Sequence, residues 1–341
     1  MPAERLVDVV RGGYVESGHT GHIAVVDSKG RLLYSCGDPK RHTFARSSMK
    51  PLQAIPIIET GAAEHYKMQA ADISLACASH NGEDQHTIRV KDILHRLELE
   101  VDDLKCGTHP PRWTAAYENV IKTDTPITPV YNNCSGKHSG MLTTAKHMNE
   151  STDDYYQIDH PVQQRILEVI SDLSEVPIDE IEIGIDGCGV PVHGIPLDRL
   201  ALSFAKMSKP GSFPEKRKQA IETVTSSMMA EPEMVGGTDR FCTDFMKVMA
   251  GRMFGKAGAE GVYCIGDLET GLGIAVKIED GNGRAVYPAA VEVLKQLELL
   301  TGDQLEQLSS YHEPALKNAR DEIIGHLKPV FSMKSASCIL S

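Results

Sequence analysis

The chain has 341 residues, a length that fits one large domain or two modest ones. Hydrophobic residues make up 41% and charged residues 24%, a globular balance that excludes a disordered or collagen-like chain. The formal net charge is −12, from 35 Lys and Arg against 47 Asp and Glu, and such an acidic surface repels phosphate backbones, which argues against nucleic-acid binding.

The first elements read as β structure. Residues 21–27 (Gly-His-Ile-Ala-Val-Val-Asp) and 31–36 form two strands around a tight turn at Ser28-Lys29-Gly30. Spaced apolar residues over 47–59 predict a helix that ends before Gly61, with Pro51 in its first turn and Pro56 as a kink. Helical periodicity follows at 85–99, 139–148, 162–173, 215–229 and 240–253, and 180–186 alternates like a strand. The C-terminal part returns to strands at 261–266 and 272–278, a helix at 285–300 and a last strand at 323–331. No repeat, low-complexity linker or clear domain break is visible. The reading is a single domain, with a sheet lobe at about 1–46 plus 255–332, a helical lobe at about 47–254 and a tail at 333–341.

No apolar run approaches the roughly 20 residues that span a bilayer. The N-terminus, Met1-Pro-Ala-Glu-Arg, lacks the features of a signal peptide. Eight cysteines are too sparse for a secreted disulfide scaffold, so the expectation is a reduced, cytoplasmic protein whose cysteines are buried thiols or metal ligands. Cys338-Ile339-Leu340-Ser341 formally matches a prenylation signal, but only Lys334 precedes it as a basic residue, and a tail is the simpler reading.

Ser47-Ser48-Met49-Lys50 is an S-x-x-K element at a helix start. Three residues along a helix bring the Ser47 hydroxyl and the Lys50 amine to one face. A serine becomes a nucleophile when a base takes its proton, and lysine is such a base when neutral. Burial or a neighbouring cation favours that form. The plain alternative is a capping serine beside an exposed lysine. Further along, Ser79-His80-Asn81 reads as S-x-N and Lys256-Ala257-Gly258 as K-x-G before a strand, the order of motifs in serine β-lactamases and penicillin-binding proteins. A second lysine would supply the cation that depresses the first.

Another cluster is Tyr131-Asn-Asn-Cys134-Ser-Gly-Lys137-His138-Ser-Gly140, with Asp186-Gly187-Cys188 beyond it. Two cysteines on glycine-bearing turns could hold a metal with His138 or water, although the spacing lacks the regularity of a zinc module and also suits buried free thiols. Asn132 and Asn133 read as a turn. Trp113 and the methionines at 228, 229, 246, 249 and 253 read as packing residues.

The combination of Ala45-Arg-Ser-Ser-Met-Lys-Pro51, Ala76-Cys-Ala-Ser-His80, Asn132-Asn-Cys-Ser-Gly-Lys-His138, Asp186-Gly-Cys188 and Gly258-Ala-Glu-Gly261 resembles the asparaginase II family, the class III L-asparaginases, from about residue 6 to residue 332. The resemblance implies an α/β (α+β) fold like that of serine β-lactamases, penicillin-binding proteins and glutaminases, with an antiparallel sheet built from both chain ends and a helical region between. It implies two Ser–Lys pairs, Ser47 with Lys50 and Ser79 with Lys256. It also implies a zinc site of Cys134, Lys137, Cys188 and water, and a homodimer. Spacing alone would not choose Lys137 over His138 as a ligand, since a lysine ligand must be deprotonated.

The expected activity is hydrolysis of L-asparagine to L-aspartate and ammonia. Arg46, His138 and Asp186 are candidates for holding the amino-acid head group, since a carboxylate wants a cation and an ammonium a carboxylate. A glutaminase or another serine amidohydrolase of the same fold is the nearest alternative. A catalytically silent metal-binding protein is the alternative of a different class.

Overall fold

The computed structural model describes residues Met1–Ala336, so the Cys338–Ser341 motif lies outside the described residues. The chain folds as two compact units. One comprises Met1–Ser48, Ile195–Lys209 and the residues from Val248 on; the other comprises Met49–Gly194 and Pro210–Lys247. The segment 195–209, assigned to the helical lobe on sequence grounds, thus belongs with the sheet.

The first unit is built on an antiparallel sheet. Its strands run in the order Ala315–Lys317, Ile323–Pro329, Glu4–Arg11, Tyr14–Asp27, Leu272–Ile278, Val262–Asp267 and Met253–Gly258. Strand Leu32–Cys36 pairs with Tyr14–Asp27, and Lys334–Ser335 pairs with Leu32–Cys36. Both chain ends therefore supply the sheet. Residues 21–26 are buried, as are all of Val262–Asp267 and Gly273–Ile278. A strand covered on both faces reads as a continuous apolar run rather than an alternation. The helices Leu197–Ser208 and Gly283–Gln296 pack on these strands. Gly273 is needed there: a Cβ would stand 1.9 Å from the Ala201 carbonyl oxygen of the first helix.

Several boundaries differ from the sequence reading. The helix expected over 240–253 spans Phe241–Met249, because Ala250 and Gly251 take left-handed φ values of 47° and 86° and end it. Met253 then opens a strand that carries Lys256. Strand Glu4–Arg11 and the helices Ala70–Ala76, Thr114–Lys122 and Leu197–Ser208 stand where the sequence reading predicts no element.

The second unit is mainly helical. The helices Lys50–Glu59 and Ala70–Ala76 pack against Ser135–His147, and Pro161–Ser174 and Glu215–Ala230 complete the bundle around them. Gly136 and Gly140 make the close approach possible: a Cβ would meet the Leu75 carbonyl oxygen at 2.2 Å from the former and Ile57 Cδ1 at 2.6 Å from the latter. Strands Glu182–Ile185 and Pro191–Pro196 form an antiparallel hairpin whose turn carries Asp186, Gly187 and Cys188. Among the described residues no helix is long and apolar enough to cross a membrane.

Candidate active site

In the helical unit, Lys50 is the first residue of helix Lys50–Glu59 and is 1% exposed. Its ammonium nitrogen donates to the Ala78 carbonyl, lies 3.1 Å from Ser79 Oγ and 3.2 Å from Cys134 Sγ. Burial lowers its pKa; the sulfur of Cys134 opposes this and the charge of Lys137 adds to it. Ser79 follows the end of helix Ala70–Ala76, and its amide donates to the Val235 carbonyl at 3.0 Å. Three residues far apart in sequence, 50, 79 and 134, thereby share one buried polar point.

Asn132 shapes the next segment. Its amide nitrogen donates to the Cys106 carbonyl at 2.8 Å, and its carbonyl oxygen accepts from the Cys134 amide at 2.8 Å. This Asx-type turn places Cys134 at the N-cap of helix Ser135–His147. Lys137 Nζ lies 3.0 Å from Cys188 Sγ. The hydrogen bond between the two sulfurs raises Cys134 to about 11, with burial acting in the same direction. That bond also lowers Cys188 to about 4, against burial and with help from Lys137. Burial acts against the Lys137 ammonium, but the two sulfurs outweigh it and its pKa is raised. The two sulfurs and the Lys137 amine thus form one buried hydrogen-bonded cluster, in which the lysine charge favours the thiolate form at Cys188.

The donor set fits a zinc ion in its chemistry only with the release of the Lys137 proton: two sulfurs and the amine nitrogen converge from a helix N-terminus and a hairpin turn. Among the described residues no group of three His, Cys, Asp or Glu side chains gathers in a way that could hold a metal. Lys137 is therefore the third donor that such a site would need.

His138 is fully buried and its Nδ1 lies 2.6 Å from the Tyr155 hydroxyl. Burial, followed by the Lys137 charge, pushes its pKa down to about 3. Asp186 is half-buried in the hairpin turn, where its carboxylate accepts from the Gly187 amide at 2.8 Å. His80 and Asn81 are structural. His80 Nδ1 accepts from the Gly82 amide and its Nε2 meets Ser135 Oγ at 2.9 Å. Asn81 bonds the Thr238 carbonyl and the Arg240 guanidinium.

The sheet unit carries Arg46, Ser47 and Lys256. Ser47 lies in a single 3-10 turn, Arg46–Met49, ahead of the α-helix, and is half-buried. Its neighbour Ser48 is fully buried and donates to the Ala45 carbonyl at 2.7 Å, so the two adjacent serines have different duties. Arg46 holds a left-handed φ of 52°, a sparsely populated conformation for a residue with a side chain. It lines a cleft with Arg41, Phe44, Glu260 and Lys277. Lys256 is 1% exposed and donates to the Ala257 carbonyl at 2.8 Å. The strand that carries it abuts the Ser47 turn: a Cβ on Gly258 would stand 2.5 Å from the Ala45 carbonyl oxygen and 3.2 Å from the Ser48 amide. The glycine of K-x-G is thus required for this approach.

Sequence reasoning missed Tyr155 and His193. Tyr155 is fully buried against His138, and His193 is 1% exposed with neither ring nitrogen hydrogen-bonded among the described residues. No spacing rule points to either, since each joins the cluster only through tertiary packing.

Among curated proteins no relative matches the sequence. Solved structures with related geometry include a candidate β-lactamase from Bacteroides dorei, 10% identical, covering 81% of this chain and 93% of that one with a TM-score of 0.47. A β-lactamase from Mycobacterium bovis is 13% identical, covering 86% and 95% with a TM-score of 0.37. A protein named Mglu in its native form is 14% identical, covering 84% and 66% with a TM-score of 0.37. The family model for L-asparaginase II matches residues 7–329, nearly the whole chain, and the protein belongs to that family.

Proposed function

We propose that the protein hydrolyses L-asparagine to L-aspartate and ammonia through a serine nucleophile with lysine as base. Family membership supports a hydrolase of this type. The observation that supports Lys50 as the base is its burial, which favours the neutral amine; its Nζ lies 3.1 Å from Ser79 Oγ, the serine of the other pair. Ser47 Oγ attacks the side-chain amide carbon and Lys50, acting as a neutral amine, takes its proton. The C–N bond breaks, and the leaving nitrogen takes a proton relayed by Ser79 and Lys256 and departs as ammonia. Water then cleaves the acyl-enzyme, returning the proton to Ser47 and releasing aspartate. Arg46, His138 and Asp186 hold the amino-acid head group by charge and hydrogen bonding.

Cys134, Lys137 and Cys188 would hold a zinc ion, whose positive charge would help orient the substrate. Ammonia release from asparagine, with glutamine and a β-lactam in parallel, tests the reading. Turnover of asparagine that is lost in both Ser47→Ala and Lys50→Met is the expected result. Preference for glutamine would make the protein a glutaminase. A Ser47→Ala variant of near-normal activity would remove Ser47 as nucleophile.

A further inference from the structure

Tyr155 and His138 are both fully buried, their rings edge-to-face with centroids 5.5 Å apart. Hydrogen-bond bookkeeping fixes how they share protons. The Lys105 amide donates to Tyr155 Oη at 2.9 Å. The hydroxyl hydrogen then needs an acceptor, and His138 Nδ1, 2.6 Å away, provides it. The reverse assignment, with Nδ1 donating, would give Oη two donors and leave its own hydrogen without an acceptor. The imidazole proton therefore sits on Nε2. That nitrogen is buried and has no hydrogen-bond partner among the described residues. A buried donor left unmade is costly, and such exceptions point to a role. His138 follows Cys134 by one turn of the helix, its amide bonded to the Cys134 carbonyl, and its ring lies in the field of Lys137, Cys134, Lys50 and Asp186.

We propose that Tyr155 is a positioning residue that locks His138 as an Nε2–H donor to a carboxylate oxygen of the bound amino-acid substrate. This rests on the amidohydrolase reading above for the substrate class only. A neutral N–H beside lysine amines suits an anionic oxygen, because hydrogen bonds to a charged acceptor are the strong ones.

The test uses full-length protein with 15N-labelled histidine. Ring spectra should show Nε2 protonated and Nδ1 bare, with His138 identified by the resonances lost in His138→Gln. L-aspartate as probe should move the Nε2–H resonance. Tyr155→Phe should populate both tautomers and raise the Michaelis constant for asparagine about three- to tenfold, with a smaller change in turnover. In His138→Gln, whose amide N–H has no tautomer to lose, Tyr155→Phe should raise the Michaelis constant no further.

A proton on Nδ1 in the wild type overturns the proposal, as does an unmoved Nε2–H at saturating aspartate or full additivity of the two substitutions. If Tyr155→Phe fails to fold, the wild-type spectra with and without aspartate decide. Absence of asparagine turnover in the wild type would defeat the functional reading, while a wrong tautomer would defeat the positioning role with turnover intact.

Discussion

Gly136→Ala sets helix propensity against packing, and the structure predicts which one wins. Propensity favours alanine inside helix Ser135–His147 by up to about 1 kcal/mol. The added methyl, however, would stand 2.2 Å from the Leu75 carbonyl oxygen and 2.7 Å from Leu75 Cγ. Carbon–oxygen contacts of this kind rest at about 3.3–3.6 Å, so the helix and the Ala70–Ala76 segment must separate by about 1 Å. Overpacking of this size costs about 1–3 kcal/mol, and an obstacle made of backbone cannot rotate away. The net expectation is a loss of about 1–2 kcal/mol.

Gly140→Ala is the control. Its nearest neighbours are Ile57 Cδ1 at 2.6 Å and Ala76 Cβ at 3.1 Å, and the former is the movable end of a side chain. It should stay within about 1 kcal/mol of the wild type. Urea titration at constant slope measures both. Because Leu75 also accepts the Ala78 amide, and Ala78 anchors Lys50, a shift there reaches Lys50 and Ser79. A displacement of about 1 Å near the chemistry can cost about 100-fold in rate. A Gly136→Ala protein as stable as the wild type, or less perturbed than Gly140→Ala, would refute the packing argument.

Ser48→Ala should lose about 1 kcal/mol of stability with its bond to the Ala45 carbonyl, yet keep asparagine turnover. Loss of turnover in a folded Ser48→Ala protein would move the nucleophile to Ser48. The Arg41 guanidinium, 2.7 Å from Glu279, holds the Glu279 carboxyl below the usual value of 4.5. The stability it contributes is present above that pH and is lost as pH falls through the depressed folded value. Glu279→Gln should flatten the acid limb of a melting-temperature profile; an unchanged limb would show that the pair contributes nothing. Elemental analysis of protein purified without chelator should find zinc, absent in Cys134→Ala and Cys188→Ala. Its removal should raise the Michaelis constant more than it lowers turnover. No zinc in the wild type, with unchanged kinetics in both variants, would discard the site.

The sequence by itself determined the chemistry on offer and much of the periodic structure. The helices at 162–173 and 215–229 were legible because their buried stripes recur at helical spacing, and they appear as Pro161–Ser174 and Glu215–Ala230. The strand at 272–278 was legible as an apolar run bounded by turn residues. The Asn132–His138 motif marked the cluster because its residue types are needed together. Tertiary structure alone decided the partnerships. Lys50 meets Ser79 and Cys134 because three helix ends converge, which no spacing rule encodes. Helix Leu197–Ser208 has apolar residues at helical spacing, Leu197, Leu200, Ala201, Phe204 and Ala205, but only the fold shows that its polar residues Asp198, Ser203 and Lys206 are buried as well. Ser47 and Ser48 are alike in sequence; only burial and the Ala45 carbonyl separate them. Tyr155 reaches His138 across a folded loop, because a hydrogen bond depends on distance in space and not along the chain.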